Sequence, residues 1–392
     1  MPKLQKINIL ASTLTTIGLV AFALFKFGFI VLEPQQKLDL TGELIQMDTT
    51  GTAMNPAVSK KIERFFRHKH RSGFSGAVLY ADRGKIVYKN TFGYGDYRKK
   101  NPIELDDPFQ LASVSKPITA LAIQQLQEKG LLQYDDPIQK FIPEFPYKGI
   151  NVRQLLIHKS GLPNYMYFPK SLWPDNEVAT NEDMICLMAT HEPPIYLLPN
   201  KKYNYSNTGY GILASIIERT SGMSYEDYME KHIFEPVGMT NSFVYNKSKS
   251  PELPPDVIGY QRKRRRMVRA RNLNVNGVVG DKGIYSTVDD LFKLDQVLYT
   301  NELINQNNLR LAFSPAHERL YAHDNYGLGW RINTDHLGNR IAYHTGWWRG
   351  FRTYFIRELY SQRTIIVLSN NAYKGFIGTN ELRSLFHVNE GP

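Results

Sequence analysis

Two residues three positions apart, Ser113 and Lys116, have the types and the spacing that nucleophilic catalysis requires. Apolar residues follow at three- and four-residue intervals from Ile118 to Leu126, a pattern that predicts a helix. Positions i and i+3 share a helix face, so the hydroxyl and the amine would point to the same place. An amine beside a serine can take its proton and activate the oxygen as a nucleophile. The same pattern also occurs on ordinary solvated surfaces, so alone it remains a hypothesis.

A second candidate is Tyr205 with Asn207, two residues on, just before an apolar stretch from Gly211 to Ile217 that predicts a helix. We expect the pair on a turn. Neighbouring cations would lower the pKa of a tyrosine and make it a proton acceptor. Asn207 would hydrogen-bond a substrate amide or the Lys116 amine. The alternative is an ordinary polar turn, for which these residue types are common.

A third candidate lies late in the chain, where His344, Thr345, Gly346 and Trp347 end a strand pattern. Glycine lets the backbone approach a ligand closely. The Trp347 N–H would then pair with the Ser113 N–H to form an oxyanion hole. The alternative is a turn between two strands with a histidine in the core.

Taken in order, these motifs resemble those of the serine β-lactamase and penicillin-binding protein superfamily. The sequence is most similar to the class C β-lactamase-like branch, which includes D-Ala-D-Ala carboxypeptidases, D-aminopeptidases and esterases. Two further segments carry the resemblance, Leu155 to Pro163 and Gly283 to Leu291. They are similar to the Leu-Leu-x-His-x-Ser-Gly-Leu-Pro and Gly-x-x-Ser-Thr-x-x-Asp-Leu segments of that branch. The resemblance covers about residues 58–375.

The resemblance implies a role for each motif residue. Ser113 would be the acylated nucleophile, and Lys116 would help to deprotonate it and keep Tyr205 anionic. Tyr205 would be the general base for acylation and would activate the water for deacylation. Asn207 would orient Lys116 and the substrate amide, and the N–H groups of Ser113 and Trp347 would form the oxyanion hole. The resemblance implies no metal and no cofactor.

The substrate-binding residues depart from the lactamase pattern. His344 replaces the lysine of the third motif, and with Thr345 it would line the far wall and contact a substrate carboxylate or the Tyr205 hydroxyl. Tyr165 stands where lactamases have a glutamine that binds the substrate side chain. Trp347 and Trp348 replace small residues and should narrow or reshape the pocket. We therefore expect a hydrolase that is not an efficient β-lactamase.

Strand patterns occur at both ends of the catalytic region, with a mainly helical stretch at about residues 115–270 between them. The early strands are Phe74 to Tyr80 and Lys85 to Lys89, joined by a hairpin turn. The late strand patterns are Gly327 to Ile332, Arg340 to His344, Arg352 to Arg357 and Thr364 to Ser369. This predicts an α+β fold of the β-lactamase/transpeptidase type, with an antiparallel sheet flanked by helices, over residues 57–390.

The N-terminus predicts membrane attachment. Residues 7–32 are mostly apolar, long enough to span a bilayer, and preceded by Lys3 and Lys6 in a short cytoplasmic tail, residues 1–6. No convincing cleavage signal follows, so an uncleaved transmembrane anchor is favoured over a removed signal peptide. Residues 33–56 form a polar linker. The catalytic domain would lie on the extracytoplasmic side of the cell membrane.

Charge and cysteine content limit the partners. The net charge is +11, much of it between Arg262 and Arg271. We interpret this run as a solvated strand or hairpin in a surface insertion, with contact to an anionic polymer or lipid headgroups as the alternative; no nucleic-acid motif accompanies it. The one cysteine, Cys186, excludes an intramolecular disulfide and a cysteine-based metal site, and we expect it to be buried.

The function predicted from sequence is an exported serine hydrolase working through an acyl-enzyme. Its substrates would be D-amino-acid peptides of peptidoglycan or small esters. Two alternatives remain: a non-catalytic or regulatory module that binds cell-wall peptides, and a weak class C-type β-lactamase.

Overall fold

The structure is a computed structural model that describes residues 56–173, 178–245, 257–264, 266–271, 273–316, 325–334, 339–372 and 377–387. The predicted cytoplasmic tail, anchor and nearly all of the linker lie outside these residues. Within the described ranges, no helix combines the length and the apolar character needed to cross a membrane.

Most strands of the main sheet come from the two ends of the described chain, and most helices lie between them in sequence. The helices are α1 (Pro56–Arg71), α2 (Ser115–Glu128), α3 (Val152–Leu156), α4 (Asn181–His191), α5 (Asn207–Ser221), α6 (Tyr225–Met229), α7 (Glu235–Val237), α8 (Val288–Val297), α9 (Gln306–Ala312) and α10 (Thr379–Arg383). The strands are β1 (Gly76–Asp82), β2 (Lys85–Phe92), β3 (Tyr94–Asp96), β4 (Asn101–Pro102), β5 (Phe109–Gln110), β6 (Phe243–Val244), β7 (Tyr260–Lys263), β8 (Arg266–Arg269), β9 (Ile284–Ser286), β10 (Asn325–Tyr326), β11 (Arg331–Thr334), β12 (Arg340–Trp348), β13 (Phe351–Glu358), β14 (Arg363–Ser369) and β15 (Asn371–Ala372).

The main sheet joins the two ends of the domain. Its order is β10-β11-β12-β13-β14-β1-β2. Every neighbouring pair in it is antiparallel, including β1 with β14, where Val78 lies opposite Val367. The predicted antiparallel sheet built from both ends of the domain is therefore confirmed.

One face of this sheet is covered by α1 and the C-terminal helix α10. Val58, Ile62 and Phe66 recur every four residues on α1, so they form one apolar stripe. They pack with Val78 and Tyr80 of β1, which are on the same face because strand side chains alternate. The result is a continuous apolar core beneath the sheet.

The opposite face is covered by α8, which is attached through a buried ion pair. Asp295 of α8 accepts a hydrogen bond from the Arg357 guanidinium of β13, and both side chains are inaccessible to solvent. Arg357 also donates to the Asp295 backbone carbonyl at 3.1 Å. This sheet face and the helices on it hold the segment that contains Ser113.

Two local predictions are wrong. Cys186 is exposed, because α4 turns its apolar face inward through Met184, Ile185, Leu187 and Met188 and leaves position 186 outside. Asn207 is not on a turn but is the first residue of α5.

The basic run between Arg262 and Arg271 forms the antiparallel hairpin β7–β8. Its described arginine and lysine side chains are exposed. The predicted solvated hairpin is confirmed.

Candidate active site

Ser113 lies in a single 3-10 turn, Ala112–Val114, immediately before α2. Ala112 has a φ of 51°, a left-handed conformation that a non-glycine residue rarely adopts. The turn is held against β12, where a Cβ at Gly346 would lie 2.3 Å from the Leu111 carbonyl oxygen. The Thr353 hydroxyl of β13 donates to the same carbonyl at 2.6 Å. The nucleophile segment is thus attached to the two central strands of the sheet.

Lys116 is fully buried beside Ser113. Its Nζ lies 3.2 Å from Ser113 Oγ, 2.8 Å from Asn207 Oδ1 and 2.9 Å from the Asp281 carbonyl oxygen. Burial lowers the pKa of Lys116 to about 7, opposed by the charge of Asp281. A neutral amine keeps two donors for the Asn207 and Asp281 oxygens and turns its lone pair to Ser113. Lys116 can therefore accept the Ser113 proton near neutral pH.

Tyr205 also contacts the nucleophile, since its phenol is hydrogen-bonded to the Ser113 side chain. The expectation of a lowered pKa for Tyr205 is wrong, because burial outweighs the effect of the neighbouring cation. Burial raises the pKa of Tyr205 well above its ordinary value, against the smaller opposing effects of the Ser113 hydrogen bond and Arg331. At neutral pH this residue is a neutral phenol, which can donate a proton, while Lys116 is the better acceptor.

His158 supports the Tyr205 ring from the side. The two ring centroids lie 4.3 Å apart, and His158 is fully buried with a φ of 56°. Its Nδ1 accepts a hydrogen bond from the Ser206 backbone N–H at 3.2 Å. The segment resembling Leu-Leu-x-His-x-Ser-Gly-Leu-Pro therefore contributes a residue that positions Tyr205.

His344 is buried and neutral, so it supplies no positive charge for the substrate carboxylate that it was expected to contact. A carbonyl oxygen only accepts, so the 2.9 Å contact to the Thr345 carbonyl places the proton on Nδ1. Nε2 then accepts from the Tyr326 hydroxyl at 3.0 Å. Burial lowers the pKa of His344 far below its ordinary value, and Arg331 and Lys116 lower it further. Its ring lies 6.4 Å from that of Tyr205.

Arg331 places a positive charge beside Tyr205, which was not predicted from the sequence. It lies on β11, opposite Tyr343 of β12, and its guanidinium carbon is 5.5 Å from the centre of the Tyr205 ring. Within the described part of the chain, no hydrogen-bond partner faces its buried Nε. No local motif marks this residue, because strand pairing alone brings it to the site.

The Tyr165 side chain, predicted to bind substrate, points into the protein. Its side chain is fully buried, and its hydroxyl donates to Asp281 Oδ2 at 3.0 Å. Its backbone N–H donates to Thr208 Oγ1 at 2.8 Å, which ties this segment to α5. The phenol therefore turns into the protein beneath Lys116.

Trp347 and Trp348 lie at the far end of β12. The Trp347 side chain is 61% exposed. Trp348 Nε1 donates to Asn276 Oδ1 at 3.0 Å, and Trp348 and Asn276 line a small cavity of about 30 Å³ beside the strand. Arg269 and Arg349 line the same cavity.

The remaining predicted residues keep their backbone positions on β12. Thr345 and Gly346 lie opposite Tyr354 and Thr353 of β13. Thr345 is half-buried, and Gly346 is buried against the segment that precedes Ser113. Across the described ranges, no group of three His, Cys, Asp or Glu side chains is placed to hold a metal ion.

A family model described as Beta-lactamase matches residues 59–388, most of the chain. The chain belongs to the beta-lactamase family. This family and its penicillin-binding relatives are serine hydrolases, and this chain is a serine hydrolase of the same superfamily.

Two relatives in Bacillus subtilis (strain 168) are similar over much of this beta-lactamase-family chain. Penicillin-binding protein 4* is 39% identical over 312 residues, covering 77% of this chain and 69% of the relative. The putative penicillin-binding protein PbpX is 30% identical over 264 residues, covering 66% of this chain and 62% of the relative.

Solved structures agree on the fold. An octameric penicillin-binding protein homologue from Pyrococcus abyssi superposes with a TM-score of 0.71 at 27% identity, covering 81% of this chain and 74% of that one. A D-amino acid amidase from Ochrobactrum anthropi superposes with a TM-score of 0.69 at 22% identity, covering 86% and 98%.

Proposed function

We propose that the chain is an exported hydrolase in which Ser113 is acylated by D-amino-acid peptides of peptidoglycan or by small esters. The observation that carries this proposal is the contact of Ser113 with Lys116, a buried amine whose pKa is lowered to about 7. Such an amine is neutral often enough to take a proton at physiological pH. The hydroxyl is thereby activated without a histidine or a metal.

In acylation, the Ser113 proton passes to Lys116 as Ser113 Oγ bonds to the substrate carbonyl carbon. The carbonyl π electrons move to oxygen, and the N–H groups of Ser113 and Trp347 would stabilise that oxyanion. The carbonyl re-forms as the bond to the leaving amine or alcohol breaks. Tyr205 donates its phenolic proton to the leaving group, and the proton that Lys116 took from Ser113 then restores the neutral phenol. Water then repeats the sequence and releases the acyl group as an acid.

A substrate carboxylate would complete the site. Arg331 places a permanent positive charge beside Tyr205, where the neutral His344 supplies none. An anionic oxygen at this place would also give the buried Arg331 Nε a partner. The relatives are named as penicillin-binding proteins and one fold neighbour as a D-amino acid amidase, which supports D-amino-acid peptides over other acyl donors.

Mass spectrometry of the intact protein tests the proposal. We expect an acyl adduct on Ser113 after incubation with p-nitrophenyl acetate, and turnover of a D-alanyl-D-alanine peptide. Ser113→Ala should abolish both, with Ser115→Ala, two residues on at the start of α2, as the matched control. Peptide binding without an adduct or product would favour the non-catalytic module, and rapid turnover of a β-lactam alone would favour the weak lactamase.

We also propose that the chain is anchored in the cell membrane by residues 7–32 with the hydrolase domain outside. The support is the apolar length of this segment and the basic residues before it. The chain should fractionate with membranes and resist alkaline extraction, and external protease should reach the hydrolase domain in intact spheroplasts. Recovery of the chain in the soluble fraction would refute the anchor.

A further inference from the structure

A second lysine is buried next to the candidate base. Lys282 is 2% exposed and follows Asp281, which is inaccessible to solvent. Burying an ammonium group is costly unless nearby groups compensate its charge. The acylation chemistry above does not use Lys282, so its burial requires another explanation.

The contacts of Lys282 form a closed cluster with Asp281 and Tyr165. Lys282 Nζ donates to the Tyr165 hydroxyl, to the Val278 carbonyl oxygen at 2.8 Å and to Asp281 Oδ1 at 3.4 Å. The Tyr165 hydroxyl in turn donates to Asp281 Oδ2 at 3.0 Å. Both oxygens of the Asp281 carboxylate are therefore engaged on the side that faces Lys282.

The same residue, Asp281, reaches the candidate base through its backbone. Its carbonyl oxygen accepts from Lys116 Nζ at 2.9 Å. The charge on the Asp281 carboxylate favours the protonated form of Lys116, and Lys282 is close enough to oppose it. One carboxylate thus lies between two lysines, of which only Lys116 touches the nucleophile.

We propose that Lys282, Asp281 and Tyr165 are positioning residues that keep Lys116 ready to accept a proton, given the proposed role of Lys116 in acylating Ser113. Lys282 neutralises the Asp281 carboxylate, and Tyr165 holds the two together. The carboxylate then orients the Asp281 carbonyl toward Lys116 without trapping Lys116 as an ammonium. This gives the buried pair a function in catalysis although neither side chain contacts the substrate.

The other groups that face Lys116 keep the same charge throughout this test. They are Arg331 on β11, Tyr205 before α5, Tyr210 on α5 and His344 on β12. Burial keeps both tyrosines and His344 neutral at neutral pH, and Arg331 is charged throughout. A shift in the titration of Lys116 on replacing Lys282 would therefore report the Asp281 charge.

The experiment compares the pH profile of Ser113 acylation by p-nitrophenyl acetate in the full-length protein. Lys282→Met removes the compensating charge at similar length. We expect the acidic limb to move up by about one pH unit, a tenfold slower acylation below pH 7. The double variant Lys282→Met with Asp281→Asn removes both charges and should return the limb toward its original position.

An unchanged or lowered limb in Lys282→Met, or a double variant that does not restore it, would overturn the proposal. A merely structural role would lower the melting temperature without this reversal. If Lys282→Met does not fold, Tyr165→Phe should give a smaller upward shift. NMR titration of carbon-13-labelled lysine compares the Lys116 pKa among the same variants without any substrate. A shift seen by NMR in a protein that does not acylate Ser113 would refute the proposed function while supporting the positioning role.

Discussion

At the residue scale, Ser113 reactivity depends on which neighbour takes its proton. Lys116 and Tyr205 both contact the hydroxyl, but burial acts on them in opposite directions. It lowers the pKa of Lys116 to about 7 because it disfavours the cation, and raises that of Tyr205 because it disfavours the phenolate. The amine becomes the acceptor and the phenol the donor.

Lys116→Arg should therefore abolish most acylation while preserving the positive charge. A guanidinium is not deprotonated in proteins, so no base remains and the acylation rate should fall by about 10²-fold or more. In the wild type, the rate should rise with pH through about 7 as the neutral amine forms. Stopped-flow acylation by p-nitrophenyl acetate measures both, with the exposed Lys129→Arg as control. A Lys116→Arg variant with normal rates would exclude Lys116 as the base.

Tyr205→Phe should separate substrates by their leaving groups. The ring would still pack against His158, but no phenol would protonate a leaving amine. We expect amide hydrolysis to fall by about 10²-fold, with a much smaller effect on p-nitrophenyl acetate, whose leaving group needs no proton. Steady-state rates on the two substrates measure this, with the exposed Tyr196→Phe as control. Equal losses on both would indicate that Tyr205 acts as a base instead.

At the element scale, β12 positions the nucleophile because its residue nearest the Ser113 segment is a glycine, Gly346. With no side chain there, the two backbones can lie in direct contact. The close approach at Gly346 brings the strand that carries Trp347 to Leu111, the residue just before the turn that holds Ser113. Side chains on either partner would separate them. The proposed oxyanion hole depends on this approach, since its two N–H groups would come from these two elements.

Gly346→Ala should damage catalysis through this contact. The added Cβ would lie 2.2 Å from Thr353 Oγ1 and 2.3 Å from the Leu111 carbonyl oxygen, so strand or turn must shift. We expect acylation to slow by about 10²-fold, the effect of losing one oxyanion donor. Gly378→Ala is the control, since its Cβ would meet only Glu381 Cβ at 4.0 Å. Normal acylation in Gly346→Ala would mean that the strand does not help to form the hole.

At the scale of the whole molecule, the sheet joins the two ends of the domain and separates two helical layers. On one face, apolar side chains of α1 and α10 pack against the sheet. The layer that carries the site is attached in part by the buried pair of Asp295 and Arg357. Loss of one partner would leave the other charge buried and uncompensated.

Arg357→Met should destabilise the fold by about 3–5 kcal/mol, whereas the double variant Arg357→Met with Asp295→Leu should recover much of the loss. Urea unfolding measures the free energies. The matched control is Arg67→Met, which breaks the ion pair of Arg67 with Glu63, because Arg67 is 67% exposed and such pairs contribute about 0–1 kcal/mol. Equal losses of unfolding free energy in Arg357→Met and Arg67→Met would show that burial does not strengthen the internal pair.

Local features could be predicted from the sequence because short-range physics determines them. The spacing of Ser113 and Lys116, the hairpin of β1 and β2, and the strands β12, β13 and β14 follow from periodicity and turn chemistry. The strand predicted from Gly327 to Ile332 is wrong over most of its length, because β11 begins only at Arg331. The order of the motifs identified the superfamily, which carries the antiparallel topology with it. The N-terminal anchor and the substrate remain predictions.

Burial and long-range contacts decided the remaining properties, which no local pattern contains. Tyr165 turned inward to Asp281, Arg331 reached the site from a neighbouring strand, and His344 lost its charge. The sequence by itself determined which groups could react and in what order they occur along the chain. Only the tertiary structure decided which of them are charged, because the cost of desolvation depends on everything packed around a group.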